Sequence, residues 1–283
     1  MTPAHKKIWF VTGASKGLGL LLVQQLLAQG YAVAATSRNA DDLRRAVGSA
    51  SDSFLPLQVN LADEASVAQA IQATIATFGR LDVLVNNAGY GLIGSLEELS
   101  DAETRQNFNI NVFGLLNVLR QATPQLRAQQ SGLVFNISSI GGFAGNFPGF
   151  GVYCATKFAV VGLTESYAAE VARFGINATV VLPGYFRTEF LSAGSVGTPR
   201  NPIAAYQEVR DTQAAHQEQI NGQQPGDPAK AVALLIKVSE AAEPPRFLFL
   251  GTDAYQAAGQ KISAVQHDMQ QWQALATATD FSS

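Results

Sequence analysis

The chain alternates short, continuously apolar runs with longer segments whose apolar residues recur every three or four positions. Ile8-Trp9-Phe10-Val11 is the first run, of the kind a strand needs when both its faces are covered. Runs at 31–36, 53–59, 81–85, 132–139, 176–182 and 246–250 predict further strands. Helical spacing predicts helices over 20–28, 63–78, 101–127, 153–173, 227–241 and 253–275. Asp63-Glu64 suits the start of the second helix and Gly79 its stop. Such alternation implies a doubly wound parallel α/β sheet of about seven strands with helices on both faces and a ligand site at the C-terminal strand edge. Residues 188–224 mix Gly, Pro and Ser with amphipathic pieces and read as an excursion over that edge. No repeat, low-complexity tract or dividing linker interrupts 1–283, so one domain is expected.

The turn after the first strand is Thr12-Gly13-Ala14-Ser15-Lys16-Gly17-Leu18-Gly19. A glycine-rich strand-to-helix turn lets backbone N–H groups approach a pyrophosphate at the helix start. In dinucleotide-binding sheets an acidic residue at the end of the second strand takes the ribose 2′-hydroxyl. Here that place holds Ser37-Arg38, and Asp41-Asp42 belong to the next helix. Arg38 and Lys16 together suit a 2′-phosphate, which points to NADP(H).

Tyr153 and Lys157, if helical, stand one turn apart on one face. A nearby ammonium favours the phenolate, which would bring a group that ordinarily titrates near pH ~10 into the range of acid–base work. An upstream hydroxyl, Ser138 or Ser139, could hold a carbonyl oxygen beside the phenol.

Composition narrows the rest. The chain is 47% hydrophobic and 14% charged, enough for a large core, and its net charge of −3 argues against a nucleic-acid or anionic-membrane surface. Cys154 is the single cysteine, so no intrachain disulfide forms. His5, His216 and His267 lack metal-ligand spacing, and no metal is expected. No apolar run is long enough for a spanning helix or a signal core, and the reading is a soluble, cytoplasmic protein.

Taken together, Thr12-Gly13-x-x-x-Gly17-x-Gly19, Asn86-Asn87-Ala88-Gly89, Asn111, Ser139, Tyr153-x-x-x-Lys157 and Pro183-Gly184-x-x-x-Thr188 resemble the short-chain dehydrogenase/reductase family, over about 11–250. The resemblance implies a Rossmann-type fold, and an NADP(H)-dependent reductase of carbonyl-reductase or hydroxysteroid-dehydrogenase type. By position, Tyr153 would be the proton donor in reduction, Lys157 would lower its pKa and bond the nicotinamide ribose, and Ser139 would bond the substrate oxygen. Asn111 would anchor a water in a relay through Lys157. The cofactor would meet Gly13, Ser15, Lys16, Gly17, Leu18, Gly19, Ser37, Arg38, Asn60, Leu61, Asn87, Ala88, Gly89, Pro183, Gly184 and Thr188, as well as Tyr153 and Lys157. Asn60 stands where the family often has Asp. Ser139 lies fourteen residues before Tyr153, one more than the family's usual spacing, which the loop over 141–151 could absorb.

Phe143, Phe147, Phe150, Tyr185, Phe186, Phe190 and Leu191 are candidate pocket residues, which favours an apolar or aromatic carbonyl substrate; Arg187 is the one cation nearby. An alternative reading is a catalytically idle NADP(H) sensor. The resemblance also implies a homodimer or homotetramer paired through the helices over 101–127 and 153–173, the second of which carries Phe158, Val160, Val161, Leu163 and Tyr167.

Overall fold

In the computed structural model, which describes residues 6–192 and 195–281, each predicted sheet strand is present. β1 (Ile8–Val11), β2 (Ala32–Ser37), β3 (Phe54–Gln58) and β4 (Val83–Asn86) are followed by a two-residue strand, β5 (Gly91–Leu92). Then come β6 (Gly132–Ile137), β7 (Ile176–Pro183), the short β8 (Val196–Gly197) and β9 (Phe247–Leu250). Seven of them form one sheet in the order β3-β2-β1-β4-β6-β7-β9, and every pairing in it is parallel. Pro56 interrupts β3, and β3 is an edge strand, where a missing N–H is tolerated. β5 and β8 pair separately, a contact the sequence pattern did not reveal.

The helices are α1 (Gly17–Ala28), α2 (Ala40–Val47), α3 (Glu64–Phe78), α4 (Asp101–Phe108), α5 (Gly114–Gln129), α6 (Gly151–Val171), α7 (Gln207–Ala214), α8 (Pro228–Ser239) and α9 (Thr252–Thr277). Strand side chains alternate between two cores. Trp9, Val11, Val33 and Val85 pack with Leu22 and Leu26 of α1 and Val232 and Leu235 of α8. Phe10, Ala34, Leu84 and Val134 point to the other face, against Ile71 of α3, Val118 of α5 and Val160 of α6. With both faces buried the strands have no polar side, which is why they read as continuous apolar runs.

One predicted helix is two. The segment over 101–127 winds through a π-helical turn, Asn109–Phe113, between α4 and α5. That widened turn places Asn111 against the chain at Tyr90, through bonds that involve its carboxamide oxygen and nitrogen.

The excursion after β7 is fastened at both ends. Glu98 accepts from the N–H groups of Ser95 and Ile203 and pairs with Arg210 at 2.8 Å, while Glu103 accepts from Arg200 N–H. On the sheet side Phe186 bridges to Gly226, with Gly226 N–H donating to the Tyr185 carbonyl. Strand order reverses between β1 and β4, and the C-terminal ends of those two strands open the cleft where the site lies. Among the described residues no helix is long and apolar enough to cross a membrane.

Candidate active site

A cavity of about 740 Å³ runs along the C-terminal edge of the sheet. One end is the turn from β1 into α1. Gly13 and Gly17 have positive φ, 64° and 59°, and a Cβ on Gly13 would come within 2.7 Å of Ala88 Cα. Helix α1 starts without a side-chain cap and without an acid in its first turn, so its leading N–H groups are left for an anion. Gly19 is not on the wall: a Cβ there would strike Asn87 Nδ2 and the Gly13 carbonyl, so this glycine serves close packing behind the turn. Asn87 donates to the carbonyls of Thr12 and Gly13, while Thr12 Oγ accepts from the N–H groups of Asn87 and Ala88. These bonds lock the ends of β1 and β4 at the point of reversal.

Ser15, Lys16, Gly17, Leu18, Ser37, Arg38, Asn60, Leu61, Ala88, Gly89, Pro183, Gly184 and Thr188 all line the cavity. Arg38 is exposed at the end of β2. Lys16 reaches Ser195 Oγ at 2.6 Å, so it straps the turn to the excursion. The Asn60 acceptor is already used, on the Ala62 N–H. Thr188 stands opposite Gly17, its Cβ 3.9 Å from where a Gly17 Cβ would lie. Gly184 is required by Asp253, whose carboxylate fills the space of a Cβ and accepts from Tyr185 N–H at 2.6 Å.

The other end of the cavity holds Tyr153 and Lys157, the candidate acid–base pair. Tyr153 and Lys157 share one face of α6 and both are buried. Lys157 Nζ donates to the Ile137 carbonyl at 2.9 Å and lies 5.8 Å from the Tyr153 ring centre. Burial pushes the Tyr153 phenol well above its ordinary range; the Ser139 hydroxyl pulls it down by less, and Cys154 and Tyr185 add to the rise. Burial also lowers Lys157 to about 8. Burial thus raises the phenol where the Tyr-Lys spacing alone suggested a lowered one, and Tyr153 keeps its proton as a neutral acid.

The two serines differ. Ser138 Oγ donates to the Lys157 carbonyl at 2.8 Å, tying β6 to α6, whereas Ser139 Oγ accepts from Gly141 N–H and turns its hydroxyl to the Tyr153 phenol, beside which a substrate oxygen would lie. The longer loop is accommodated by a 3₁₀ turn at Ile140–Gly142 and a left-handed Gly149, φ 82°. Gly142 is forced, because a Cβ would lie 2.6 Å from the Lys157 carbonyl oxygen.

Asn111 is set back from the wall. Its amide bonds the Tyr90 backbone and donates to Thr156 Oγ at 3.1 Å, bracing the residue before Lys157. Phe143 also lies elsewhere, packed edge-on to Phe249 at 5.3 Å. Arg187 turns away and donates to the Gln224 carbonyl. Phe147, Phe150, Tyr185, Phe186, Phe190 and Leu191 do line the cavity.

Sequence reasoning passed over His216. It lies buried on the cavity wall, 4.9 Å from the Phe150 ring, with Nε2 2.8 Å from Tyr185 Oη and Nδ1 2.7 Å from the Thr212 carbonyl. A carbonyl can only accept, so Nδ1 carries the proton and Nε2 accepts from Tyr185. Cys154 is buried beside Tyr153, and burial raises its thiol to about 11.

The model of the short chain dehydrogenase family matches residues 7–195. The chain belongs to that family. As a short-chain dehydrogenase it is an oxidoreductase acting on the alcohol–carbonyl couple. It is similar to a 3-ketodihydrosphingosine reductase from Bacteroides thetaiotaomicron, 36% identical over 84% of this chain and 86% of that one. A solved short-chain dehydrogenase from Streptomyces avermitilis superposes with a TM-score of 0.88 at 36% identity, covering 97% of this chain and all of that one. ElxO with NADP bound aligns with a TM-score of 0.70 at 28% identity, over 87% of this chain and 97% of that one.

Proposed function

We propose that the protein is an NADPH-dependent reductase of apolar or aromatic ketones and aldehydes. One observation carries this reading: a buried, neutral Tyr153 and the Ser139 hydroxyl bonded to it face a cavity whose far end is an uncapped glycine turn with Arg38 and no acid at the end of β2. The glycine cradle and the helix start fit a dinucleotide, Arg38 fits its 2′-phosphate, and the likeness to an NADP-bound relative agrees with that choice. When bound, the nicotinamide supplies the hydride. Ser139 and Tyr153 then donate to the substrate oxygen, and the Tyr153 proton completes the alcohol as negative charge grows there. Lys157 holds the ribose, and Asn111 acts as a positioning residue through Tyr90 and Thr156. A sensor would have no use for a neutral phenol and a serine hydroxyl brought together at one point of the cavity.

The wall also reads the substrate. With its proton donated to His216, Tyr185 presents an acceptor among Phe147, Phe150 and Phe190. That suits a carbonyl compound with an apolar body and a hydroxyl or amino group close to the carbonyl. The Bacteroides relative is named for a ketone, 3-ketodihydrosphingosine. Matched ketones with and without a neighbouring hydroxyl, assayed with NADPH by nicotinamide absorbance, test both levels. The hydroxylated member is expected to be favoured up to about tenfold in kcat/KM, the value of one neutral hydrogen bond, and Tyr185→Phe should erase the difference. Inactivity on every ketone with NADPH still bound would favour the sensor instead.

Lys157 predicts a pH dependence. Its ammonium is present below about 8 and lost above it, so NADPH affinity should hold at lower pH and weaken as pH rises through 8. Lys157→Met should bind weakly at every pH, with no inflection, in a calorimetric titration. The folded pKa lies below the ordinary 10.5, so the unfolded chain holds more protons between those values, and this lysine's contribution to stability rises with pH across that window.

A further inference from the structure

Gln224 ends the excursion that leaves β7, and it lies on the cavity wall with only 1% of its surface exposed. Neither its Oε1 nor its Nε2 has a hydrogen-bond partner. Among the described residues Trp9, Asn86 and Arg210 each leave one buried side-chain atom unbonded, away from the cavity; Gln224 alone leaves a whole carboxamide. Taking such a group out of water without replacing its bonds is costly, and a native fold keeps one where a ligand supplies them.

The backbone of this residue is firmly placed. Its carbonyl accepts from Arg187 Nε at 3.2 Å and from Nη2 at 3.1 Å, so a guanidinium is committed to holding it. Two residues on, Gly226 N–H donates to the Tyr185 carbonyl and the Gly226 carbonyl accepts from Arg187 N–H. A Cβ on Gly226 would lie 2.6 Å from the Tyr185 carbonyl oxygen, which leaves that loop no room to shift. Neighbouring polar side chains are engaged elsewhere, Tyr185 with His216 and Arg187 with the Gln224 backbone. Only the carboxamide, on a soft terminal torsion, is left to turn toward a ligand.

The sheet separates the two candidate ligands. Gln224 leads into α8, which packs with α1 on one face, whereas Tyr153 belongs to α6, packed against the other. A substrate oxygen bonded by Tyr153 and Ser139 therefore sits on the α6 side. The dinucleotide belongs to the α1 side, where the glycine turn begins. Nicotinamide carries one carboxamide, an acceptor and an NH2 donor on a single carbon, which is the complement of a glutamine side chain.

We infer that Gln224 bonds the nicotinamide carboxamide and so selects the cofactor by its ring, as Arg38 does by its 2′-phosphate. This rests on the dinucleotide reading given above. Gln224 Oε1 accepts from the amide NH2 and Nε2 donates to the amide oxygen, which supplies both bonds the side chain lacks.

Calorimetric titration of the full chain with NADP+ and with its 3-acetylpyridine analogue, in which a methyl replaces the amide nitrogen, tests this without a substrate. The unmodified protein is expected to favour NADP+. Gln224→Met, close in shape but a poor hydrogen-bonding group, should weaken NADP+ roughly tenfold and the analogue by less, so the preference shrinks. Gln224→Leu should give the same pattern. Without nucleotide both variants should melt no lower than the unmodified protein, because each removes a buried group that lacks partners. A glutamine kept for structure would behave oppositely: the variants would melt lower and lose both nucleotides alike. That result, or an unchanged preference, would overturn the inference and leave the dinucleotide reading standing. Unchanged nucleotide affinity with a shifted KM for ketones would give Gln224 to the substrate and overturn it as well. A protein that bound neither nucleotide would overturn both.

Discussion

Tyr153→Phe is expected to reduce turnover at least ~100-fold with NADPH affinity nearly unchanged. The phenol lies in the apolar cluster of Ile93, Phe150, Cys154 and Val209, and burial holds its proton in place across the neutral range. Removing the oxygen leaves Ser139 as a hydrogen-bond donor to the substrate oxygen but takes away the proton that completes the alcohol. The ring keeps its packing against Phe150 and Phe190, so the fold has no reason to suffer. Steady-state rates and a separate NADPH titration distinguish the two effects. A Phe variant with near-normal turnover would remove Tyr153 from the chemistry.

The second large effect concerns cofactor choice. The unmodified enzyme should favour NADPH over NADH by roughly tenfold or more in kcat/KM, from a charge-assisted contact of about 1.5–3 kcal/mol between Arg38 and the 2′-phosphate. Ser37→Asp combined with Arg38→Leu should reverse the ratio. The carboxylate would repel the phosphate and accept from the ribose hydroxyls. Asp41 and Asp42 cannot already play that part, since they pair with Arg44 and Arg45 on α2. Lys16 is fastened to Ser195, which leaves Arg38 as the main determinant. An unmodified enzyme that prefers NADH, or a ratio the double change leaves alone, would refute this reading of the end of β2.

Much of this was legible in the chain because its signals are local. An apolar run, a glycine turn and a Tyr-Lys pair one helical turn apart each depend on neighbours in sequence, and the sheet and the shared face of Tyr153 and Lys157 followed from them. What stayed hidden depends on distant partners. Nothing near Tyr153 announces that burial raises its phenol; that needs Ile93 and Val209 brought in from other segments. Gly184 is explained only by Asp253, and Asn87 only by the carbonyls of Thr12 and Gly13. His216 had one usable signal. Thr212 stands four residues before it, the helical spacing at which a backbone carbonyl can fix an imidazole, but a lone histidine in an irregular stretch carries no periodicity to draw the eye.

Cys154 has a practical consequence. Thiol reagents attack the thiolate, and a buried sulfur whose proton is held to about 11 offers almost none of it at neutral pH. The protein is therefore close to silent toward maleimides as it stands. A cysteine placed on the solvated face of α9, for example Gln270→Cys, would be its one fast-reacting thiol, ready to carry a spin label or a fluorophore. Spectroscopic rulers between two such labels could then report how copies of the chain lie against each other, with no background thiol to remove first.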